Sequence, residues 1–322
     1  MKSNIAATVA ANKNTIMSDL HFPVLILGAG IAGLAAARRL AANGIPALVL
    51  DKGRGVGGRM ATRRNGAATF DHGAQYFSTK TIDFQNFVKE ASAAGAVREW
   101  RPDIPDKLHP RWVGAAGMSA VPKFLAENLT VQTGKKAVQI LALPNGWQVV
   151  TDDRERYTAD ALIVTIPAPQ ALELLANSPP DLPGDAFEPL RHIAYYPCLA
   201  VLATLDRTSG IPAPGGLLTG GEPISWIADN FQKGISSVPS VTIHGSPEFS
   251  NRHLDGDLQQ AGRLLLEAAD SWIRPAKVME WQIHRWRYSL AWQRRPEPFW
   301  EVAGRHPLLF GGDGFGMGNV EG

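Results

Sequence analysis

The chain has 322 residues, of which 45% are hydrophobic and 19% charged, and its formal net charge is +2. This length suits one large or two ordinary domains with a sizeable core, and the composition excludes a disordered chain. The small net charge gives no field that would attract nucleic acid or a membrane surface, so we expect neither as a partner. The single cysteine, Cys198, excludes an internal disulfide and any paired-cysteine metal or redox site.

The cysteine and the N-terminal residues also bear on location. We expect Cys198 to be a small buried residue in a cytoplasmic protein, because thiols stay reduced in that compartment. No run of about 18 apolar residues is present, which argues against a membrane span. Residues 1–20 include Lys2 and Lys13 and lack the continuous apolar core of a secretory signal. They predict a disordered extension, with organelle targeting as the alternative.

The segment from Pro23 to Leu27 predicts a buried strand that leads into a GxGxxG motif. Gly28 permits a tight turn, and Gly30 lets backbone N–H groups approach a pyrophosphate. Gly33 lets the following helix, predicted over Ile31 to Asn43, pack close to the strand. This order of elements predicts that a dinucleotide binds to the six residues of the motif, Gly28, Ala29, Gly30, Ile31, Ala32 and Gly33.

The residues after this helix strengthen that prediction. Gly44 ends the helix, Ile45 to Leu50 predicts a second strand, and Asp51 at its end is placed to accept a hydrogen bond from a ribose hydroxyl. A glycine-rich basic segment follows from Lys52 to Met60. Its Gly57-Gly58-Arg59 sequence is suited to clamp phosphate oxygens through N–H groups and a guanidinium, and a solvated basic loop is the alternative.

A GxGxxG motif, an acidic strand end and a GGR motif, in that order, resemble the flavoprotein amine oxidase superfamily, in which the dinucleotide is FAD. Residues 70–77, with the sequence FDHGAQYF, resemble a stretch of the renalase family that runs beside the isoalloxazine ring. On this resemblance, Gly73 and Ala74 leave room for a planar ring, Gln75 hydrogen-bonds its polar edge, and Tyr76 belongs to the same site. His72 either shares this role or is an ordinary surface or packed histidine.

The next residues predict helices around a loop. Residues 79–95 predict an amphipathic helix ended by a glycine, and residues 100–110 predict a loop over the active-site side. The segment from Arg111 to Leu125 begins a further helix, with Ser119 as N-cap and Pro122 in an early turn. Its WVGAAGMS sequence resembles a renalase pattern.

Residues 131–157 alternate with a period of two around a Pro-Asn-Gly turn, so we predict a β-meander. Alignment with the renalases places Ala137 where the backbone of a family valine contacts adenine. The apolar run over residues 159–166 resembles the returning strand of a Rossmann fold, with a helix from Gln170 to Ala176 after it. We assign Thr165 and Pro167, at the end of this strand, to the cofactor site.

The remaining residues predict a second unit and a return to the first. Residues 183–305 contain Trp-rich strands, which we expect to be antiparallel, and a helix with one polar face. The predicted strands and helix are Val201–Leu205, Pro223–Asp229, Val241–Gly245, Val278–Leu290 and Asp255–Trp272.

Residues 307–322 contain the sequence GGDGF and end with Val-Glu-Gly, which resembles the renalase terminus. In the family this sequence continues into a helix that faces the flavin pyrimidine, so we expect the chain to be a fragment of a longer protein. Asp313 is placed to accept a hydrogen bond from a ribityl hydroxyl.

We predict an α/β protein with a Rossmann-type FAD-binding domain and a second, mainly antiparallel β-sheet substrate domain, as in p-hydroxybenzoate hydroxylase. The FAD domain comprises residues 21–78, 112–178 and 306–322, and residues 79–111 and 179–305 form the substrate domain. Outside the GxGxxG motif, the predicted FAD-binding residues are Asp51, Lys52, Gly57, Gly58, Arg59, Met60, Gly73, Ala74, Gln75, Tyr76, Ala137, Thr165, Pro167, Gly312, Asp313 and Val320.

The resemblance implies that FAD oxidises a 2- or 6-dihydro isomer of NAD(P)H and that O2 reoxidises the flavin to give H2O2. Loss of a hydride makes an aromatic pyridinium directly, so the protein positions the substrate and needs no side-chain base. His244 and Trp286 align with residues that line the renalase pocket and are the predicted catalytic residues, and Trp226 and Asn230 are weaker candidates. No histidine pair has metal-ligand spacing, so we predict no metal site.

Two alternatives stay open at this point. One is a flavin amine oxidase that acts on a small amine, which the Trp-rich second domain permits. The other is a flavin- or nucleotide-binding protein without turnover. The sequence leaves the oligomeric state open.

Overall fold

A computed structural model of the chain describes residues 20–102, 109–177 and 185–321. The strands in this part of the chain are β1 Leu20–Leu27, β2 Ala47–Asp51, β3 Thr62–Asn65, β4 Ala68–Asp71, β5 Phe77–Ser78, β6 Val97–Glu99, β7 Arg111–Gly114, β8 Thr130–Thr133, β9 Ala137–Leu143, β10 Gly146–Thr151, β11 Arg156–Val164, β12 Ala194–Leu205, β13 Gly216–Leu218, β14 Ile224–Asp229, β15 Ser240–Gly245, β16 Val278–Gln293, β17 Trp300–Val302 and β18 Leu308–Phe310. The helices are α1 Ile31–Ala42, α2 Ile82–Ala93, α3 Ala120–Leu125, α4 Ala168–Ala176, α5 Glu188–Arg191, α6 Pro247–His253, α7 Leu258–Ala268 and α8 Asp270–Ile273, and a 3₁₀ turn covers Gly58–Met60.

The largest sheet contains the predicted Rossmann unit. Its strand order is β17-β18-β11-β1-β2-β8, and β18, β11, β1, β2 and β8 run parallel. Ile26 of β1 packs with α1 on one face of the sheet, and Leu25 and Leu27 pack with the meander and α4 on the other. Because both faces are covered, the central strands are continuous apolar runs, as expected for a buried parallel sheet. This confirms the predicted fold of the first unit.

The bounds of two predicted elements shift by a few residues. β2 begins at Ala47 rather than Ile45, because the Ile45 N–H donates to the Leu40 carbonyl at 3.0 Å and completes the end of α1. Gly44 takes a positive φ of 73° at this end. α4 begins at Ala168, before the predicted start, because Pro167 already occupies its N-cap position.

The predicted meander is confirmed. β9 pairs with β10 and β10 with β11, all antiparallel, and β11 then lies parallel to β1. β8 precedes the meander and pairs parallel with β2 instead. The meander therefore extends the Rossmann sheet from the returning strand.

The second sheet is antiparallel, as predicted, with the strand order β13-β14-β15-β12-β16. One face packs on α6, α7 and α8. The single helix predicted from Asp255 to Trp272 is wrong. The Asp257 carboxylate accepts the N–H groups of Gln259 and Gln260, so α7 begins at Leu258, and Ala269 separates it from α8.

The strands β5, β6 and β7 form a small sheet of their own, and here the helix predicted from Arg111 needs correction. Residues Arg111–Gly114 form β7, which pairs with β5 and β6, and α3 begins only at Ala120. Ser119 precedes α3, but its hydroxyl makes no capping hydrogen bond, and its N–H donates to Thr62 Oγ1 at 3.0 Å. β3 and β4 form a separate hairpin.

Some predictions fall on residues outside the described ranges. They are the N-terminal extension, apart from Leu20 at the start of β1, and most of the loop predicted over residues 100–110.

Trp300–Val302 pairs with β18 and so lies in the first sheet, although the predicted domain division assigned it to the substrate domain. The division itself stays a prediction.

Candidate functional site

The glycine turn after β1 forms a tight cradle at the N-terminus of α1. Gly28 has a φ of 108°, and a Cβ on Gly33 would lie 1.9 Å from the Gly28 carbonyl oxygen, so only glycine allows this approach. A Cβ on Gly30 would meet nothing within 4 Å. Gly30 is the N-cap of α1, and no side chain caps this helix end. The cradle therefore combines open space with unmet N–H groups, which suits an anion.

Asp51 is tied to the backbone of this turn. Its Oδ2 accepts the Ala29 N–H and its Oδ1 accepts the Gly53 N–H, each at 2.6 Å. A carboxylate has further lone pairs, so a ribose hydroxyl remains an allowed donor. The Lys135 N–H donates to the Asp51 carbonyl at 2.8 Å, which brings the start of β9, Ala137, near this strand end. The adenosine roles of Asp51 and Ala137 stay predictions.

Three other predicted residues support the turn from the side of α4. Thr165 Oγ1 donates to the carbonyls of Leu27 and Gly28 at 3.0 and 3.1 Å. Pro167 caps α4, and Lys52 Nζ donates to Gln170 of that helix at 3.0 Å. Burial lowers the pKa of Lys52.

The GGR segment folds back onto the glycine turn. Gly57 has a φ of 123°, and its N–H donates to the Ala29 carbonyl at 2.8 Å. A Cβ on Gly58 would lie 3.4 Å from the Gly30 Cα. Arg59 then makes a bidentate pair with Asp313, with N–O distances of 2.5 and 2.6 Å. The structure thus pairs two residues that the sequence assigned separately to phosphate and ribityl oxygens.

Asp313 has a second neighbour that sequence reasoning missed. The Tyr195 hydroxyl donates to Asp313 Oδ1 at 3.4 Å and accepts the Ala168 N–H at 3.4 Å. Burial, with the Asp313 charge beside it, raises the pKa of Tyr195. Gly312, before Asp313, has a φ of 119° and lies beside the Thr165 carbonyl. Tyr195 therefore links β12 of the second sheet to the end of the first.

The segment from Asp71 to Tyr76 lies directly against the GGR segment. A Cβ on Gly73 would lie 2.0 Å from the Arg59 carbonyl oxygen, and the Ala74 N–H donates to the same oxygen at 2.9 Å. Backbone packing thus requires a glycine here, a reason that was not predicted, and the predicted room for a planar ring stays a prediction. Gln75 Nε2 donates to the Asp71 carbonyl at 2.6 Å, and its buried Oε1 has no partner in the described part of the chain.

A buried ion pair behind this segment was not predicted. Lys233 is fully buried, and its Nζ lies 2.8 Å from Asp71 Oδ2 and 2.7 Å from the Gln75 carbonyl oxygen. Asp71 Oδ1 accepts the Thr62 hydroxyl and the Met118 N–H at 2.6 and 2.7 Å. Burial lowers the pKa of Lys233, and Asp71 opposes that shift. The pair holds the Asp71 to Tyr76 segment against the second sheet.

The carbonyl of His72 brings the two predicted catalytic residues together. It accepts Trp286 Nε1 at 2.7 Å and lies 3.2 Å from His244 Nε2. A carbonyl only accepts hydrogen bonds, so His244 carries its proton on Nε2. Burial lowers the pKa of His244 to about 4, and the nearby Lys233 charge acts in the same direction. His244 is therefore neutral at pH 7.

Two further histidines surround Trp286. The rings of His72 and Trp286 stack at 5.1 Å, and His284 meets Trp286 edge-on at 4.4 Å. Burial lowers the pKa of His72 to about 3 and that of His284 to about 4, and the Arg63 charge adds to both shifts. The two histidine rings that contact Trp286 are thus uncharged at pH 7.

A cavity of about 500 Å³ opens between the two sheets. It is lined by His244, Trp286 and nine of the predicted cofactor residues, which are Ile31, Arg59, Met60, Gly73, Ala74, Gln75, Tyr76, Asp313 and Val320. Residues that were not predicted also line it, among them Lys80, Arg111, Leu290, Met317 and Glu321. The other predicted cofactor residues lie at the glycine turn, in its surroundings or in the first turn of α1, outside this cavity.

Of the two weaker candidates for the substrate pocket, the cavity lining includes Trp226 and not Asn230. Trp226 lines the cavity and stacks obliquely on Tyr76 at 5.5 Å, and its Nε1 has no partner in the described ranges. Asn230 is fully buried, donates to Thr242 Oγ1 at 3.0 Å and does not line the cavity. Cys198 is buried, as predicted, and burial raises its pKa to about 12.

In the part of the chain that the structure describes, three or more His, Cys, Asp or Glu side chains do not come together as a metal site would require. The helices of these described residues are all too short or too polar to cross a bilayer.

Comparison with known proteins now adds to this geometry. Residues 26–91 match the NAD(P)-binding Rossmann-like domain, and residues 104–314 match the flavin containing amine oxidoreductase family. The chain belongs to this flavin containing amine oxidoreductase family. Renalase of Mus musculus is 28% identical over 334 residues, which cover 93% of the chain and 94% of the mouse protein. The chain is thus a renalase-like member of the family and an FAD-dependent oxidoreductase.

Solved structures of other flavin amine oxidoreductases and related enzymes share the fold. An oxidoreductase from Methanosarcina mazei superposes with a TM-score of 0.64 at 14% identity, covering 92% of this chain and 96% of that one. A putrescine oxidase bound to putrescine gives 0.63 at 14% identity, covering 83% and 85%. At these identities the likeness shows the two-domain fold alone.

The residues of this flavin amine oxidoreductase fit FAD, the cofactor of the family. The uncapped N-terminus of α1 beside the open space at Gly30 suits the pyrophosphate. The cavity extends from Ile31 at that helix to Trp286 in the second sheet. Gln75 lines it, and its buried Oε1 accepts no hydrogen bond from the residues that the structure describes, which suits an N–H donor of a flavin.

Proposed function

We propose that this flavin amine oxidoreductase is an oxidase of dihydronicotinamide isomers, the 2- or 6-dihydro forms of NAD(P). The neutral dihydropyridine, O2 and one proton give the pyridinium and H2O2, so the substrate loses two electrons and oxygen gains them. Bound FAD supplies the two-electron acceptor between these half-reactions. The predicted site residues, including His244 and Trp286, enter this proposal as residues that bind and orient the substrate.

The observation that carries the proposal is that His244 and Trp286, which both line the cavity, are held by hydrogen bonds to one group, the buried His72 carbonyl. This fixes an aromatic face and a neutral imidazole in one pocket. An indole face suits stacking with a nicotinamide ring, and the unprotonated Nδ1 of His244 suits an amide N–H of its carboxamide.

The side chains around the pocket also suit a reaction without a protein base. Oxidation of a dihydropyridine releases a hydride and leaves an aromatic cation, so no C–H or N–H proton has to be removed first. His244 stays neutral at pH 7, and the two carboxylates that line the cavity are engaged. Asp313 is paired with Arg59, and Glu321 accepts the N–H groups of Lys80 and Thr81.

A small amine is the competing substrate class, favoured by the family and by the aromatic pair of Tyr76 and Trp226. The cavity is poorly suited to an ammonium substrate, because the cationic residues Arg59, Lys80 and Arg111 line it. Both carboxylates of its lining already have partners. The renalase-like sequence favours the dihydronicotinamides over the whole length of the chain.

Anaerobic stopped-flow absorbance of the FAD-loaded protein tests the proposal. We expect 2- or 6-dihydro-NAD(P) to bleach the flavin within a second and to give one H2O2 per turnover in air, whereas a panel of amines that includes putrescine does not. We expect Trp286→Phe to slow bleaching at least tenfold, and Trp292→Phe, on an exposed ring outside the cavity, to leave it unchanged. Bleaching by an amine alone would support the competing class and refute the proposal.

A further inference from the structure

The substrate cavity has two ends, which differ in charge. β14 and β16 are separated by β15 and β12 in the second sheet, which places them roughly 14 Å apart at the usual strand spacing. Trp286 and Leu290 line the cavity from β16, and Trp226 lines it from β14. Arg59, paired with Asp313, donates to the Ser289 carbonyl at 3.3 Å and so belongs to the β16 end. The cationic residues at the β14 end are therefore separate from the ion pair of Arg59 and Asp313.

A series of contacts leads from His244 to the rim at the β14 end. His244 pairs in register with Trp226, whose ring lies 5.5 Å from that of Tyr76. The Arg111 guanidinium lies over the Tyr76 ring at 5.6 Å. Arg111 pairs in register with Ser78, so β7 runs beside the strand that leads to Lys80. This side of the cavity is therefore aromatic near His244 and cationic at the rim.

Lys80 is fixed at the rim through its backbone. Its N–H donates to both carboxylate oxygens of Glu321 at 2.9 and 3.0 Å, and Glu321 also accepts the Thr81 N–H at 2.6 Å. Lys80 is an exposed residue of the cavity lining, and its ammonium has no hydrogen-bond or ion-pair partner within residues 20–102, 109–177 and 185–321. It is therefore available to an anion that enters with the substrate.

We propose that Lys80 is a specificity-determining residue that binds a phosphate group of the substrate, so that the enzyme prefers phosphorylated dihydronicotinamides. This inference rests on the proposed function. When the nicotinamide ring of the substrate lies at His244 and Trp286, its ribose lies along Tyr76 and Trp226. The phosphate then reaches the cationic rim. A lysine ammonium is a suitable point charge for phosphate, and an exposed contact of this kind corresponds to about a fivefold preference.

The test compares dihydronicotinamide riboside with its 5′-phosphate, the mononucleotide, because this pair differs by one phosphate. We expect the wild-type KM to be about fivefold lower for the mononucleotide, with equal kcat. Lys80→Gln removes this difference, and Lys80→Arg restores it. Lys89→Gln, on an exposed lysine of α2 that does not line the cavity, keeps it. Equilibrium dialysis of the oxidised products, nicotinamide riboside and nicotinamide mononucleotide, gives the same ratios without turnover.

The dihydro forms of NAD and NADP identify which phosphate is bound, because NADP differs by the ribose 2′-phosphate. A difference that depends on Lys80 in either pair supports the inference. If the wild type oxidises both members of each pair and Lys80→Gln leaves both ratios unchanged, the inference is overturned and the proposed function stands. If the wild type oxidises no dihydronicotinamide, the proposed function fails, and the inference fails with it.

Discussion

The His72 carbonyl joins the two residues that we propose to bind the substrate. It fixes the indole of Trp286 and the protonated nitrogen of His244, two side chains from different strands of the second sheet. Because the carbonyl can only accept, it also fixes the tautomer of His244. The environment of His244 lowers its pKa to about 4, which keeps the ring uncharged at pH 7.

The pKa of His244 leads to a prediction about stability. Burial lowers it to about 4, with Lys233 facing the ring and the His72 carbonyl opposing the shift. Below pH 6.5 the unfolded chain protonates this histidine while the folded protein does not, so the unfolded state binds more protons and the free energy of unfolding falls towards pH 4. We expect His244→Asn to reduce this loss by up to about 3 kcal/mol, measured by urea unfolding at pH 7.5 and 4.5. An equal loss in both proteins would contradict the lowered pKa.

Gly30 allows the cofactor cradle to be tested with little effect on the fold. Its φ is −71°, which alanine adopts readily, and no atom would lie within 4 Å of a new Cβ. We expect Gly30→Ala to change the free energy of unfolding of the apoprotein by less than about 1 kcal/mol. We expect it to raise the FAD dissociation constant at least tenfold, because the methyl group fills the space assigned to the pyrophosphate.

Two other glycines serve as controls for this titration. Gly55→Ala, in equally open space outside the turn, should leave FAD affinity unchanged. Gly33→Ala should destabilise the apoprotein, because its Cβ would lie 1.9 Å from the Gly28 carbonyl oxygen. Wild-type FAD affinity in Gly30→Ala would remove the pyrophosphate from this cradle.

At the scale of elements, the buried pair of Lys233 and Asp71 joins three parts of the fold. Asp71 ends the β3–β4 hairpin and accepts the N–H of Met118, just before α3, and Lys233 lies in the turn after β14. Lys233 also donates to the Gln75 carbonyl, so the pair positions the segment that lines the cavity. A buried pair of this kind is costly to break, because the remaining charge loses its partner.

We expect Lys233→Met to lower the free energy of unfolding by about 3–5 kcal/mol, because Asp71 is left buried and unpaired. The double variant Lys233→Met/Asp71→Asn should regain part of that loss, since it removes both charges. Lys135→Met, which breaks the ion pairs of this lysine with the partly exposed Asp153 and Glu155, should cost less than about 1 kcal/mol. Urea unfolding of the four proteins measures this, and equal costs for Lys233→Met and Lys135→Met would refute the assigned role.

The elements that sequence predicted well are those whose own residues determine them. β1 and α1 follow from an apolar run and a glycine turn, and the antiparallel strands follow from their alternation. The starts of α6 and α7 were also encoded locally, by Ser246-Pro247 and by Asp257, and these capping signals were missed. The Lys233 pair could not be predicted, because Asp71 lies 162 residues away and only the tertiary fold brings them together.

The same distinction holds in the candidate site. The motif residues around Gly28 were predictable because their chemistry is local to one turn. The close packing of Gly73 against the Arg59 carbonyl was not predictable, because the two residues belong to different segments. The pairing of Arg59 with Asp313 joins residues 254 positions apart, and its geometry appears only when the last strand returns to the first sheet.

At the scale of the whole molecule, the Rossmann sheet and the antiparallel sheet enclose one cavity. The first supplies the cradle at α1 and the second supplies His244 and Trp286, while Arg59, Asp313 and Tyr195 connect the two. The cavity extends from Ile31 at α1 to Trp286 in the second sheet, which suits the extended FAD of the family to which the chain belongs.

We expect FAD to extend from the Gly30 cradle into this cavity. The most direct test is the absorption spectrum of the purified chain after incubation with excess FAD and gel filtration. We predict that the protein peak retains the two visible flavin bands at one FAD per chain, and that Gly30→Ala elutes with much less. A folded wild-type protein that elutes colourless would contradict the account.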